Sequence, residues 1–277
     1  LVLTGGLKLE HNDFTHLELQ PSVRAIFAPA ARQRVWAAVS RAVRTPDVVE
    51  GRRAVDIVDG MPVSGPGGGM YLPTLVGNPD LKSSVLWAYE AGWRVQLSPS
   101  LSADLAGFFN HYEGVIGRGE ITRYDAGSPV GIAEMPWGNN VNGETQGGEL
   151  SLNAVPSPQW RLTASYALLL AQLRGGSDAS LLEHGSPRHQ AILRSSWDAF
   201  DDGGLDTLWR YVSAIPGVGA YTTADARLWY RPRPWLELSL VGKNLLDPQH
   251  AEQGTELLAI NSEAPRTALL RVEMRFQ

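Results

Sequence analysis

The sequence predicts an all-β fold, an antiparallel transmembrane β-barrel, and three observations carry that expectation. Apolar and polar side chains alternate with a period of two through about twelve segments, which is the signature of a strand with two unlike faces. The connections alternate between tight turns and long polar loops, as in outer-membrane barrels. No run of 18 or more apolar residues exists to form a spanning helix.

The stretch from Ser262 to Gln277 shows the pattern most plainly: Ala268, Leu270, Val272, Met274 and Phe276 share one face, and Thr267, Leu269, Arg271, Glu273 and Arg275 the other. In a soluble sandwich the apolar face would meet a second sheet, whereas in a barrel it meets lipid and the charges face a wet lumen. At the other end of the chain, Leu1 to His11 sets Leu3, Leu7 and Leu9 against Thr4, Lys8 and Glu10, with a break at Asn12-Asp13. Leu17 to Ala28 sets Val23, Ala25 and Phe27 against Ser22, Arg24 and Ile26, and Pro29 marks a turn. Gln33 to Arg44 alternates least decisively, so a strand is expected there with an amphipathic helix as the alternative. Residues 45–78, with four prolines and the run Gly65-Pro66-Gly67-Gly68-Gly69, are expected to be a mobile external loop. No Lys-Ser/Thr follows the glycines, which excludes a phosphate-binding loop.

From Ser84 the alternation is clearest, with Val85, Trp87, Tyr89, Ala91, Trp93, Val95 and Leu97 on one face. A turn at Ser98-Pro99-Ser100 returns the chain through Leu101 to Asn110, and a polar loop is expected over residues 117–142. Glu144 to Val155 and Trp160 to Leu170 flank Pro156-Ser157-Pro158 as the next hairpin. Residues 172–187 read as a Gly/Ser-rich loop. Arg188 to Phe200 and Leu205 to Ser213 flank Asp201-Asp202-Gly203-Gly204, where Asp and Gly supply the positive-φ positions of a tight turn. Tyr221 to Arg231 and Leu236 to Leu245 flank Arg231-Pro232-Arg233-Pro234, and a loop over 246–261 leads to the closing strand. Outward aromatic residues, Trp87, Trp93, Trp160, Tyr166, Trp197, Trp209, Tyr211 and Tyr230, are expected at membrane girdles. Glu90, Arg94, Asp104, Glu149, Arg161, Arg194, Asp198, Asp206, Arg210, Asp225, Arg227, Glu237 and Lys243 are expected inside.

Composition narrows the chemistry. The 277 residues are 43% hydrophobic and 19% charged, enough to fold, and the net charge of -5 with no dense basic cluster excludes a nucleic-acid surface. Absence of cysteine removes disulfides, thiolate metal sites and cysteine nucleophiles. Nine Trp and eight Tyr against six Phe suit rings at a lipid-water boundary. The six His are scattered, and His184 with His189, or His250 with Glu252, lack a third ligand at a sensible spacing, so neither a metal nor a cofactor is expected.

Ser40-Arg41-Ala42-Val43-Arg44-Thr45-Pro46, then Gly77-Asn78-Pro79-Asp80-Leu81-Lys82, then Tyr89-Glu90-Ala91-Gly92 resemble the ordered block of TonB-dependent outer-membrane receptors. Val241-Gly242-Lys243-Asn244-Leu245-Leu246-Asp247 resembles the late segment of that family, and Phe276 its C-terminal barrel signal, although it is penultimate. The resemblance implies a barrel of about 22 strands around a plug. Residues 1–277 would then be the C-terminal part of the barrel domain, with no plug sequence visible. It further implies the outer membrane of a Gram-negative bacterium, insertion by the barrel assembly machinery, and energy-coupled uptake of a scarce ligand such as an iron-siderophore or cobalamin, with the TonB coupling protein acting through the plug. Tyr71, Arg123, Tyr124, Trp137 and His184 are the candidate ligand contacts in the external loops. A passive pore and a barrel-embedded hydrolase are the alternatives.

Overall fold

The computed structural model describes residues 1–52, 57–58, 60–127, 131–252 and 263–276. The chain opens with β1 (Val2–Asn12), β2 (His16–Ala30) and β3 (Gln33–Arg44), followed by the short helix α1 (Val48–Gly51). Three short strands come next, β4 (Ile57–Val58), β5 (Val63–Ser64) and β6 (Met70–Val76), then the long β7 (Ser84–Ser98) and β8 (Leu101–Arg118). After β9 (Arg123–Asp125) come β10 (Gly131–Ser157), β11 (Trp160–Arg174), helix α2 (Ala179–His184), β12 (His189–Phe200) and β13 (Gly203–Val212). The chain ends with β14 (Tyr221–Arg233), β15 (Leu236–Lys243), β16 (Gln249–Ala251), β17 (Glu263–Pro265) and β18 (Thr267–Met274).

Twelve strands follow one another in a single meander, β1-β2-β3-β7-β8-β10-β11-β12-β13-β14-β15-β18, and every neighbouring pair in it is antiparallel. Each of the twelve segments expected from alternation is a strand, including Gln33–Arg44, which is not helical. The closing strand is shorter than expected, Thr267–Met274, and Phe276 lies just past it, 86% exposed.

Five connections at one end are two residues long: 31–32, 99–100, 158–159, 201–202 and 234–235. A register irregularity precedes each of them. Pro29, Pro156 and Pro232 sit at three of these bulges, where a missing N–H costs no ladder hydrogen bond. This corrects the turn expected at Pro29, since β2 runs through it to Ala30. The Asp201-Asp202 turn also differs, because neither aspartate nor Gly203 has a positive φ. Gly203 is needed for space instead: a Cβ there would stand 2.2 Å from the Phe200 ring.

The opposite end carries two further corrections. Residues 45–78 are not a bare loop but hold α1, β4, β5 and β6, and much of the 117–142 stretch is strand, because β8 runs to Arg118 and β10 starts at Gly131. The 27 residues of β10 would extend roughly 90 Å at about 3.3 Å per residue, far beyond an apolar band of about 25 Å. Its first part therefore stands clear of the apolar band, where loops pair with it. Most of the loop expected over 246–261 lies outside the described residues.

No second layer covers the twelve-stranded sheet among the described residues. Leu7 (62% exposed), Leu240 (56%) and Leu270 (73%) remain open on its apolar face, and so do Trp93, Trp160, Tyr166, Trp197, Trp209, Tyr211 and Tyr230. Most of the buried apolar side chains belong to the loop end, among them Tyr71, Leu75, Val76, Leu81, Ala133 and Val141. Water-soluble proteins rarely expose a contiguous apolar surface of this kind. Hydrocarbon is the solvent that makes it stable.

The other face is ionic. Arg94 Nε donates to Asp104 at 2.5 Å, Arg161 pairs with Asp198 at 3.1 Å, and Arg227 pairs with Asp206 at 3.1 Å. Glu237 accepts from both Arg227 and Arg231, and Glu273 pairs with Arg271 and Arg275. The half-exposed pairs contribute at most about 1 kcal/mol each, whereas Glu237 is buried between its two arginines. They keep the face compatible with water, while the backbone ladder holds the sheet. Trp36 is also on this side, its indole lying over Gly92, where a Cβ would come within 2.4 Å of it.

The two faces make opposite predictions for a buried charge. Leu240→Arg, in the apolar band, should lower unfolding stability in bilayers by about 2–4 kcal/mol. Leu269→Arg, on the ionic face of the adjoining strand and 41% exposed, should cost clearly less. Equal losses in urea titrations of the protein in lipid vesicles would contradict the assignment of faces.

Candidate functional site

The loop end is a folded layer. In it β6 pairs parallel with the start of β10, Tyr71 opposite Gly131 and Leu75 opposite Met135, and β9 adds on the far side with Tyr124 opposite Ala133. β4 and β5 complete it along the other edge of β6. A parallel pair needs a long crossover, and the β7-β8 hairpin supplies it.

Polar side chains fasten this layer to the sheet. Asp47 and Glu50 form a capping box on α1, with Glu50 N–H donating to Asp47 at 2.8 Å and Asp47 N–H to Glu50 at 3.1 Å, and Arg44 reaches Glu50 at 2.5 Å. Asn78 N–H donates to the Glu50 carbonyl at 2.7 Å, its side-chain amide donates to the Trp137 carbonyl at 2.8 Å, and its Oδ1 accepts from Asp80 N–H at 3.0 Å. Asn139 exchanges two 2.8 Å bonds with the Lys82 backbone. The Arg-x-Pro and Gly-Asn-Pro-Asp-Leu-Lys segments are thus architectural, closing a 39-residue excursion (residues 45–83) back onto β10.

Tyr71 is the centre of the layer and is 7% exposed. Its hydroxyl donates to the Pro66 carbonyl at 3.2 Å, and its ring meets that of Tyr124 edge-on at 4.9 Å. A Cβ on Gly65 or Gly131 would lie 2.5 Å from the Tyr71 ring, so both glycines are there to admit it. Tyr124 remains 38% exposed. Next to it the Arg123 side chain, 61% exposed, is held by Glu134 at 3.7 Å and Asp125 at 3.9 Å. Successive strand residues face opposite sides, so Arg123 presents its charge on the face away from the Tyr124 and Tyr71 rings.

Trp137 stands where β10 leaves β6 and takes up Arg118 of β8, half-buried, with an indole N–H that finds no partner among the described residues. His184 ends α2, hydrogen-bonded to the Ser180 carbonyl at 2.9 Å and close to Glu183 at 3.8 Å. No described contact joins it to the Tyr71 group, although α2 is braced to the same strand end through Asp178, which accepts Arg118 N–H at 2.7 Å. Tyr71 and Tyr124 therefore meet, Arg123 lies on the opposite face of β9 with Asp125 and Glu134, Trp137 is further along β10, and His184 stands apart. Sequence reasoning missed the bracing residues Glu50, Asn139 and Asp178. The Asp47-x-x-Glu50 spacing was a readable sign of the first; nothing local marks the other two.

The late Asn244 segment is built likewise. Asn244 turns the chain at φ 51°, its N–H donates to Asp225 at 2.9 Å, and its side chain donates to the Ala264 carbonyl at 3.0 Å.

A one-layer sheet with tight turns at one end, an elaborated loop layer at the other, an ionic face and a bare apolar face defines an outer-membrane-type β-barrel segment. The chain belongs to the TonB dependent receptor-like β-barrel family, whose model matches residues 1–245. Solved structures agree on the fold. A variant of the ferric enterobactin receptor PfeA from Pseudomonas aeruginosa superposes with a TM-score of 0.78 at 20% identity, covering 99% of this chain and 42% of that one. The siderophore receptor PirA from Acinetobacter baumannii gives 0.77 at 16% identity, over 99% and 43%. The ferric-catecholate import receptor Fiu from E. coli gives 0.68 at 20%, over 94% and 35%. The chain thus spans less than half the length of these structures. No curated protein sequence matches it.

Replacing Asn78 by Ala should remove its side chain's bonds to Trp137 and Asp80 at a cost of roughly 1–3 kcal/mol. Amide exchange should quicken across residues 70–83 and 131–139 and stay unchanged in β12 to β15. Uniform acceleration, or none, would refute the bracing role.

Proposed function

We propose that residues 1–277 form the C-terminal part of the barrel domain of an outer-membrane receptor in a Gram-negative bacterium, one that takes up a scarce iron-siderophore by TonB-dependent transport. The observation that carries the proposal is the family match over residues 1–245, joined to a folded loop layer that leaves Arg123 and Tyr124 exposed. Structures with this fold include one of PfeA with enterobactin bound, 20% identical to this chain, and the exposed Arg123 guanidinium suits an anionic iron-catecholate better than a corrinoid such as cobalamin. Trp87, Trp93, Trp160, Tyr166, Trp197, Trp209, Tyr211 and Tyr230 serve as the girdle, and Phe276 as the signal read by the barrel assembly machinery. TonB would act on the plug of the whole receptor, and the ionic face of this sheet would line the lumen around that plug.

The complete receptor, purified in detergent, should bind ferric enterobactin, and Arg123→Ala combined with Tyr124→Ala should weaken binding at least about tenfold, the loss of one charge-assisted contact. Unchanged affinity in the double variant would remove the loop cluster from the site. Failure of the wild-type receptor to bind any ferric chelate, with steady conductance in planar bilayers, would replace the receptor with a passive pore.

A further inference from the structure

Asn244, the residue after β15, is 5% exposed, and every hydrogen-bonding group on it but one has a partner. Its N–H donates to Asp225 of β14 at 2.9 Å, and Arg266 Nε donates to its carbonyl at 3.5 Å. Its side-chain Nδ2 donates twice, to the Ala264 carbonyl of β17 at 3.0 Å and to His250 Nδ1 of β16 at 3.1 Å. Oδ1 is buried and accepts nothing among the described residues. This one amide ties both β16 and β17 to the end of the sheet.

The Ala264 carbonyl decides which way the amide points, because a carbonyl only accepts and so must face Nδ2. That in turn sets the tautomer of His250. Nδ1 is the bare, accepting nitrogen, and the ring proton sits on Nε2, 3.4 Å from Glu252. The ring is enclosed as well, since the His250 side chain is 7% exposed and packs on Tyr221 of β14 with the centroids 4.4 Å apart. Arg210 of β13 completes the group, its guanidinium 5.6 Å from the centre of the Tyr221 ring and paired with Glu252.

A second proton on this imidazole goes to Nδ1, where it meets the Nδ2 donor head-on. Turning the Asn244 amide over brings the idle Oδ1 to the new N–H and withdraws the donor from Ala264. Either response breaks one of the two ties. The neighbouring charges do not restore it: Glu252 is engaged with Nε2 and Arg210, Asp225 accepts the Asn244 N–H, and Glu263 lies across from Ala251. Arg210 and Arg266 are themselves cations, and Tyr221 is the remaining neighbour. Imidazole is the side chain that ordinarily changes charge between about pH 5 and 8.

We propose that Asn244 and His250 form an acid-released clasp, closed while the imidazole is neutral, that frees the β16-β17 pair from the sheet when His250 takes up a proton. β15 ends at the loop end, which the receptor reading turns to the outside, so external acidity sets how firmly this part of the rim is held.

The chain has no cysteine, so Gln249→Cys places a single nitroxide on β16. In the complete protein in detergent, its mobile spectral fraction should rise several-fold between about pH 8 and about pH 5 and fall again on return. In H250Q, whose side-chain carbonyl accepts from Nδ2 but takes no proton, the response to pH should be lost. N244G tolerates the φ of 51° and removes the amide, so the label should be mobile at both pH values. A wild-type label equally immobile at both would overturn the proposal. So would a pH response that survives H250Q, which would assign the titration to a carboxylate, or a label held as firmly in N244G as in the wild type.

Discussion

Hydrocarbon accepts no hydrogen bonds, and that constraint organises the whole sheet. Each backbone N–H and C=O inside a bilayer must pair within the protein, and the twelve-strand meander meets this with continuous antiparallel ladders. It also explains where irregularity is allowed. Bulges and prolines gather next to the two-residue turns, and the parallel β6-β10 pair lies at the loop end, in both cases where water can complete the bonding. The ion pairs on the lumen-side face are secondary, since water screens them and their number adds little stability.

Two surfaces follow from that division. The ionic face presents Glu237 clasped by Arg227 and Arg231 near the tight-turn end, whereas the loop end buries Tyr71 and exposes Arg123. Packing at the loop end is that of a small protein core, with glycines cut away around one aromatic ring. Such a core makes the loops a preformed surface, with its ordering cost already met in folding.

The strands were legible because a period of two survives in any strand with unlike faces. Trp87 to Leu97 and Ala268 to Met274 show it over whole segments, and the register bears it out. The loop layer was not legible. Met70–Val76 contains Pro73 and follows a glycine run, so local chemistry reads as loop, and only pairing with Gly131–Pro136 some sixty residues later makes it a strand. Gly203 illustrates a subtler limit, since the sequence suggested a positive φ where the structure needs room for Phe200. Of the candidate contacts, the aromatic character of Tyr71 and Tyr124 was readable, but not that the first would be buried beneath the second.

The most direct measurement concerns what covers the apolar face. Trp87, Trp93, Trp160, Trp197 and Trp209 belong to that face, four of the nine tryptophans elsewhere. In vesicles whose acyl chains carry bromine, most of the tryptophan emission should be quenched, and aqueous iodide should reach only the minor remainder. Emission indifferent to bromolipid, from a monodisperse protein that needs no detergent, would show a second protein layer where hydrocarbon is required.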